Sequence, residues 1–425
     1  MGERSFRNAK PHGALLVGYK LAADLAGKSV VFVLTIAAAR RLTASAFGLF
    51  SLASTLGWML AVAADFGIQL HLARRVARHP EEAAAALARW LPVRVWTTAA
   101  AVAVVMLGLV VTQSSIATAV PLLLFALVYG CSGLVEFLHY YYRGLSRSDV
   151  ESSLILAQRV ATLVFGLAAL AWRPSVTTLA VAMLAPMAAT LAVSLRVARR
   201  IAPDSRFPIP DSRFLAPDSF LRDVFPIGAG IVLSALYFRI DVFLVEWWRG
   251  AEAVALYNAV FRLVEAFRLL PAAVLAVALP ALCRARDRAP LVRLAGGVTA
   301  VAAAATAACW MAADVLIPLL FGRAYGAAVP TFRILVLAFP LLSLNYALTH
   351  QLIAWNGERA YAVVCALALT VNVALNATLI PAASIDGAAW ATVATEVFLT
   401  VGCLCALASR HAAPATEPAP EGLAA

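Results

Sequence analysis

Apolar runs about as long as a membrane-spanning helix follow one another along almost the whole chain. Short breaks that contain arginine, proline or glycine separate them. A helix satisfies its own backbone hydrogen bonds in lipid, so each run is predicted to be a transmembrane helix. Of the 425 residues, 63% are hydrophobic and only 13% are charged, which leaves too little polar surface for a water-soluble globule. The chain is therefore predicted to be an all-α polytopic membrane protein.

About twelve transmembrane helices are expected from these runs. The first run, Ala14 to Ala39, is too long for the core of a signal peptide and is expected to remain as a helix. The further spans of the first half are placed at 46–71, 95–112, 117–142, 152–171 and 176–195. Those of the second half are placed at 223–247, 252–280, 292–312, 328–354, 360–380 and 387–408.

The loop arginines and lysines predict the orientation of these spans. With a cytoplasmic N-terminus, 22 of them fall in loops on the cytoplasmic side and five on the other side, namely Arg40, Arg41, Arg173, Arg249 and Arg323. Cytoplasmic loops carry such an excess of positive residues, so both termini are predicted to lie in the cytoplasm. The net charge of +11 is explained by these loops, and no nucleic-acid partner is expected.

Four regions are predicted from the distribution of polar residues. A six-helix lobe is expected over residues 1–195 and a second over 223–409. The stretch between them, 196–222, repeats Pro-Asp-Ser three times and is interpreted as a cytoplasmic linker. Residues 410–425 have few bulky apolar side chains and are expected to form a disordered cytoplasmic tail.

The two halves resemble each other at their first turn. The sequence RRLTASAFGLFSLA aligns without a gap with WWRGAEAVALYNAV, so that Phe47 to Phe50 correspond to Val254 to Tyr257. Internal repeats are typical of transporters, which bind their substrates at the interface between the repeats. The alignment predicts that each turn joins the first two helices of its half.

Charged residues lie in the middle of the seventh and eighth spans. Burying an ionised side chain at that depth costs at least about 2.5 kcal/mol, so it normally faces a partner or a water-filled cavity. The residues predicted to bind substrate here are Arg239, Asn258, Arg262 and Arg268. A closed structural cluster, with Asp241 bound to Arg262 and Glu265 bound to Arg268, would give the same pattern.

Lys20, Asp24 and Lys28 recur every four residues and form one stripe on the first helix. Lys20 could extend to the membrane surface, and Asp24 could pair with both lysines. Lys28 lies too deep in the membrane for its ammonium group to reach the surface easily. Lys28 is therefore a further substrate-binding candidate. The candidates for coupling transport to a proton or sodium ion are Asp24, Asp241 and Glu265.

Other polar residues are interpreted more conservatively. Glu136, His139, Arg143 and Arg159 are expected near the cytoplasmic side, where anchoring at the membrane interface explains them at least as well as a cavity does. Single polar residues of later spans, such as Asn345, Asn372 and Glu396, are typical of hydrogen bonds between helices. The sequence predicts no catalytic residue, metal site or cofactor.

Five stretches together resemble the polysaccharide transporter family, and they cover nearly the whole chain in order. They are ARRLTASAFGLFSLAS, AADFGIQLHLARRVAR, YFRIDVFLVEWWRGAEAVALYNAVFRLVEAF, FGRAYGAAVPTFRIL and VNVALNATLIPAASIDGAAWATVATE. The resemblance is to the O-antigen and exopolysaccharide flippases of the multidrug/oligosaccharidyl-lipid/polysaccharide exporter superfamily. The positions that match best are Arg239 to Asp241 and the pair Leu256 and Tyr257.

This resemblance implies two six-helix lobes around a central cavity that opens alternately to each side of the bacterial inner membrane. The implied substrate is an undecaprenyl-diphosphate-linked oligosaccharide for cell-surface polysaccharide. Its partners would be membrane lipids, a coupling proton or sodium ion, and polysaccharide polymerase and export machinery. The alternatives are a multidrug or cation antiporter of the same superfamily, a lipid II flippase, or a polysaccharide polymerase or ligase. The last is disfavoured because every predicted outer loop is short.

Overall fold

The computed structural model of the protein describes residue 27 and residues 29–201, 218–268, 271, 274, 289–354 and 357–411. All regular structure in this part of the chain is helical. Eight helices are long and apolar enough to cross a membrane, and a bent pair, Arg323–Val336 with Ala338–Leu352, would make nine. The predicted all-α polytopic fold is confirmed.

The first half begins with helix α1, described from residue 29 to 41. It continues with α2 (Ala44–Asp65), α3 (Ile68–Arg78), a 3-10 turn (Pro80–Glu82), α4 (Ala83–Val111), α5 (Ile116–Gly144), α6 (Ser148–Trp172) and α7 (Val176–Ile201). The second half contains α8 (Asp218–Phe267), α9 (Ala289–Phe321), a 3-10 segment (Arg323–Ala328), α10 (Val329–Val336), α11 (Ala338–Ala354) and α12 (Glu358–His411).

Two of these helices are each a pair of spans joined at a sharp break. Helix α8 is interrupted at Gly250, with φ 78° and ψ 179°, and α12 is interrupted at Ala383 and Ser384. The nine spans already include the bent pair, and dividing both helices at these breaks raises the number of described spans to eleven. Helix α1, whose N-terminal part lies outside the described residues, corresponds to the first of the twelve predicted spans.

Several span boundaries differ from those expected; α7 and α9, for example, continue to Ile201 and Phe321 instead of ending at residues 195 and 312. The second span ends at Asp65, because Phe66 and Gly67 take left-handed backbone conformations with φ of 44° and 83°. The separate helix α3 follows. It contains Arg75 and Arg78, which were expected in the loop after the second span. Helix α4 begins at Ala83 instead of residue 95. Arg94 was therefore wrongly assigned to a loop.

The first turns of the two halves pack against each other. A Cβ atom added at Gly48 would lie 1.9 Å from the carbonyl oxygen of Ala251, so the two backbones are in direct contact. Phe47 is fully buried beside them and meets Tyr325 edge to face, with ring centroids 6.0 Å apart. The segments that the sequence alignment matched therefore form a joint between the halves. We call the side of the molecule that carries this joint the turn face.

Arginine side chains close helix ends at the turn face. Arg40, at the end of α1, donates from Nε to the carbonyl oxygen of Leu320 at 2.8 Å and from Nη2 to that of Leu319. Arg249 donates to the carbonyl oxygens of Ile380 at 3.2 Å and Pro381 at 2.5 Å. The last carbonyl groups of a helix have no hydrogen-bond donors within the helix. These guanidinium groups provide the missing donors. Arg40 also links the first half to the second.

The main apolar core lies between the halves, where α2 packs along α8 and α8 packs along α12. Smaller cores hold together the end of the first half that carries α3 and the α11–α12 region. The predicted linker falls largely outside the described residues, and so does nearly all of the predicted tail. The division into lobes at 195 and 223 and the cytoplasmic position of both termini remain predictions.

Candidate functional site

A central cavity of about 510 Å³ lies mainly within the first half. Helices α1 to α7 form its walls, and α8 contributes Ile231 and Arg262. Its charged lining residues are Asp65, Arg94, Glu136, Arg159 and Arg262. A volume of this size falls within the range of small-molecule binding sites in proteins.

Asp65 and Arg94 form a buried ion pair on the wall of this cavity. Arg94 Nε lies 3.6 Å from Asp65 Oδ1, and the two side chains are 1% and 8% exposed. The Asp65 carboxylate also accepts the backbone N–H groups of Gly67 at 3.1 Å and Gln69 at 3.2 Å, which fixes the start of α3. The pair therefore joins α4 to the α2–α3 junction.

The position of the Arg94 side chain depends on a glycine of the neighbouring helix. A Cβ atom at Gly133 of α5 would lie 2.5 Å from Arg94 Nη2, so any larger residue would displace the guanidinium group. Arg94 also donates to Thr98 Oγ1 at 3.1 Å and to the carbonyl oxygen of Ala61 at 3.3 Å. These contacts hold a positive charge at the cavity wall with little freedom to move.

Glu136 of α5 and Arg159 of α6 bring further charge to the cavity. Glu136 is exposed to the space around it, and Arg159 is partly buried. Both also line an adjoining polar pocket of about 250 Å³. Arg143 contributes to that pocket too, and its guanidinium group forms an ion pair with Glu151. Glu136, Arg143 and Arg159 were expected near the membrane interface, where anchoring would explain them, and all three line these connected spaces.

A second space, the lateral gap, separates α1 from the last part of α8. Its volume is about 530 Å³, and it shares Arg159 and Arg262 with the central cavity. Helix α1 lines it with apolar side chains, among which Val31 and Val33 are 38% and 45% exposed. Arg262, Glu265 and Arg268 line the opposite wall. Arg262 Nη1 lies 2.7 Å from Glu265 Oε2, so Arg262 pairs with this neighbour and not with Asp241.

Arg239 is enclosed between the halves and does not line the central cavity or the lateral gap. It is 2% exposed and donates from Nη2 to Thr55 Oγ1 at 3.0 Å and to Asn258 Oδ1 at 2.5 Å. Its Cζ atom lies 4.4 Å from the centroid of the Phe261 ring. Nη1 has no hydrogen-bond partner among the described residues. Arg239 thus connects α2 to α8 through a buried cation.

Asp241 is also 2% exposed and belongs to a hydrogen-bonded group in the second half. Tyr257 donates its hydroxyl to Asp241 Oδ2, and the hydroxyl groups of Tyr257 and Thr392 lie 3.3 Å apart. Arg268 covers the Phe238 ring, with its Cζ atom 4.3 Å from the ring centroid. The predicted residues are therefore divided between the lateral gap and the closed contact of the halves. Asp24 and Lys28 lie outside the described residues.

Comparison with solved structures identifies the general class of the fold. The chain is similar to an inward-facing multidrug resistance MATE family transporter of the MOP superfamily, at 14% identity, with a TM-score of 0.65 over 91% of this chain and 95% of that one. A MATE transporter of Vibrio cholerae gives 12% identity and a TM-score of 0.60, with 93% and 95% of the chains covered. The lipid II flippase MurJ in an inward closed conformation gives 12% identity and a TM-score of 0.55, with 92% of this chain and 81% of that one covered.

At these identities the structural matches establish the fold, which is that of the membrane transporters of the MOP superfamily. The family model for polysaccharide biosynthesis proteins matches residues 17–286, and the chain belongs to that family. No curated protein matches the sequence. The fold is one that known membrane transporters share, and the described part of the chain has several helices long and apolar enough to cross a membrane.

Proposed function

We propose that the protein translocates an undecaprenyl-diphosphate-linked oligosaccharide across the bacterial inner membrane by alternating access. The observation that carries this proposal is the junction of the central cavity with the lateral gap at Arg159 and Arg262. A substrate made of a polar glycan, a charged diphosphate and an apolar tail needs three environments that meet at one point. The cavity, the two arginines and the gap provide them.

The diphosphate would bind at the junction. Arginine presents a planar fork of donors that fits phosphate oxygens, and a site with little water strengthens the attraction. Arg262 and Arg268 are the predicted substrate-binding residues that line the gap, and Arg159 joins them from α6. The prenyl tail would remain in the bilayer against the apolar side chains of α1. The glycan would enter the central cavity.

The remaining predicted residues have conditional roles in this proposal. Arg239 and Asn258 would contact substrate only in a conformation in which α2 and α8 separate, because their hydrogen bonds to each other and to Thr55 now close that contact. Lys28 is proposed as a further cation of the site. Asp24, Asp241 and Glu265 remain the proposed groups for coupling to a proton or sodium ion. Polymerase and export machinery remain proposed partners.

Translocation in proteoliposomes tests the function directly. Purified protein is reconstituted with fluorescently labelled undecaprenyl-diphosphate-linked oligosaccharide, and the fraction that becomes accessible in the opposite leaflet is measured over time. Arg262→Ala should reduce the rate on the order of tenfold, which corresponds to the loss of one charge-assisted contact. Arg333→Ala, which removes an arginine paired with Asp314 outside these cavities, serves as the matched control.

Three results would contradict the proposal. Transport of an organic cation without transport of the lipid-linked oligosaccharide would favour the multidrug antiporter. Preference for the peptide-bearing lipid II over the oligosaccharide substrate would favour the lipid II flippase. Equal translocation rates for Arg262→Ala and Arg333→Ala would show that Arg262 does not bind the substrate.

A further inference from the structure

The central cavity contains a carboxylate that the binding of the diphosphate does not use. Among the described residues, Glu136 is exposed to the cavity, whereas the other acidic side chains that line the cavity and the gap are held by arginines. Asp65 pairs with Arg94, and Glu265 pairs with Arg262. Arg143, the nearest arginine along the same helix, pairs with Glu151. Glu136 is therefore available to a molecule that enters the cavity.

The charge of the site changes from the gap to the region around Glu136. Among the described residues, the gap carries Arg159, Arg262 and Arg268 against the single acid Glu265, an excess of positive charge. The groups that act electrostatically on Glu136 are Asp65 from α2, Arg94 from α4, Arg143 from α5 and Arg159 from α6. With Arg159 counted in the gap, this region has the acids Asp65, Glu136 and Glu151 against Arg94 and Arg143, an excess of negative charge. A diphosphate is favoured at the gap, and the sugars next to it would lie near Glu136.

The surroundings of Glu136 suit uncharged sugars. Trp58 and Tyr129 also line the cavity and offer aromatic faces, while Gln158 adds an amide group that donates to Thr162 at 2.8 Å. Pockets that combine aromatic walls with a few polar groups recognise a ligand by its shape and its hydrogen bonds. An ionised carboxylate only accepts hydrogen bonds, so Glu136 attracts sugar hydroxyl and amide N–H groups and repels a sugar carboxylate.

We propose that Glu136 makes the transporter selective for oligosaccharides whose first sugars carry no carboxylate, an inference that rests on the function proposed above. The class of substrate is then a neutral or amino-sugar glycan on a prenyl diphosphate. Glycans with a uronic acid next to the diphosphate are excluded by repulsion inside the cavity. The residue sets specificity, and the arginines at the gap supply most of the attraction for the carrier.

Binding of two short-chain analogues to the purified protein tests this inference. One is a neutral disaccharide on a short prenyl diphosphate, and the other is the same molecule with its first sugar oxidised to the uronic acid. Isothermal titration should show wild-type protein binding the neutral analogue on the order of tenfold more tightly, as expected for two like charges in a partly desolvated site. Glu136→Gln should reduce this ratio to about threefold or less.

Two further variants separate charge from folding. Glu136→Asp keeps the negative charge and should retain most of the discrimination. Glu252→Gln removes one negative charge from an exposed position outside the cavities and should keep the wild-type ratio. Equal affinity of wild-type protein for both analogues, or an unchanged ratio in Glu136→Gln, would overturn the selectivity and leave the flippase function standing. Failure of wild-type protein to bind either analogue would overturn the proposed function together with this inference.

Discussion

The two halves of the molecule use buried polar residues in different ways. In the first half, Asp65, Arg94, Glu136 and Arg159 come from four helices and surround a cavity. In the second half, several buried polar side chains instead bond to one another between or along the helices. Asn345 donates to Glu396 Oε2 at 2.7 Å, and Asn376 donates to Asn372 Oδ1 at 2.9 Å.

This difference shows that a repeated fold can divide its tasks. Hydrogen bonds between polar side chains in a membrane protein stabilise helix packing by up to about 2 kcal/mol each. The second half contains such bonds between polar side chains of its helices. The first half keeps charged groups at a surface that a ligand can reach. Polar residues in apolar helices can therefore indicate either packing or binding, and the geometry decides between them.

The largest effect is expected from breaking the ion pair of the first half. Arg94→Met leaves the Asp65 carboxylate buried without its partner, which should lower the free energy of unfolding by about 3–5 kcal/mol. Thermal unfolding in detergent measures the loss. The additional change Asp65→Asn should recover much of it, because the uncompensated charge is removed.

Arg333→Met is a suitable control for this pair. Arg333 and Asp314 are 31% and 67% exposed, and an exposed ion pair contributes about 1 kcal/mol or less. If Arg94→Met were no more destabilising than Arg333→Met, the buried pair would not organise the cavity wall. The comparison of the two halves would then lose its main support.

A smaller loss is expected where the halves meet at the turn face. Gly48→Val would push a side chain into the backbone of Ala251, which a Cβ atom would already approach to 1.9 Å. Overpacking of this kind costs about 3 kcal/mol. The melting temperature should fall more than in Gly108→Val, since a Cβ atom at Gly108 has nothing within 4 Å. Equal melting temperatures would show that the halves do not depend on this joint.

Arg239 is enclosed between the halves, and Arg262 lines the cavity and the gap. Comparing variants of the two arginines therefore tests whether an enclosed position and a cavity-lining position have different roles. Arg239→Met removes two hydrogen bonds from a buried charged group and should cost about 2 kcal/mol of stability. Arg262→Met leaves Glu265, whose side chain is 33% exposed in the gap, and should cost less, about 1 kcal/mol.

Transport should respond in the opposite order. Per folded molecule, Arg262→Met should slow translocation more than Arg239→Met, because only Arg262 lines the cavity and the gap in this conformation. Unfolding curves and proteoliposome rates on the same preparations measure both quantities. A slower rate for Arg239→Met than for Arg262→Met would show that Arg239 meets the substrate in another conformation.

The fold class could be predicted from the sequence, because a chain that crosses the membrane repeatedly must contain regular apolar runs. Apolar runs set the spans, and the repeated turn sequences identified two segments that the structure brings together at Gly48 and Ala251. The breaks were harder to place. Gly250 is a glycine in a predicted turn, but no sequence pattern marks the positive φ angles of Phe66 and Ser384.

The cavity was predicted less well than the fold. Arg94 was placed in a loop because the proline and the charges before it resemble a span boundary, yet it lies inside α4. Glu136 and Arg159 were correctly placed on their helices, but their positions along the chain could not show that they face a common space. Asn258 and Arg262 lie one turn apart on α8, yet Asn258 is enclosed and Arg262 lines the cavity. Side-chain neighbours, which the sequence does not contain, make that difference.

The smallest effect is expected at the first turn of each half, where the two repeats use different chemistry. Thr43 caps α2, since its Oγ1 accepts the backbone N–H of Ala46 at 3.2 Å, while the second half turns at Gly250 without such a cap. Thr43→Ala should therefore cost about 1 kcal/mol of stability, the usual contribution of an N-cap. Ser115→Ala is the control, because Ser115 precedes α5 without a capping bond from its side chain. A melting temperature that falls equally in both variants would mean that the cap does not stabilise this turn, and that the backbone contact between Gly48 and Ala251 holds the joint by itself.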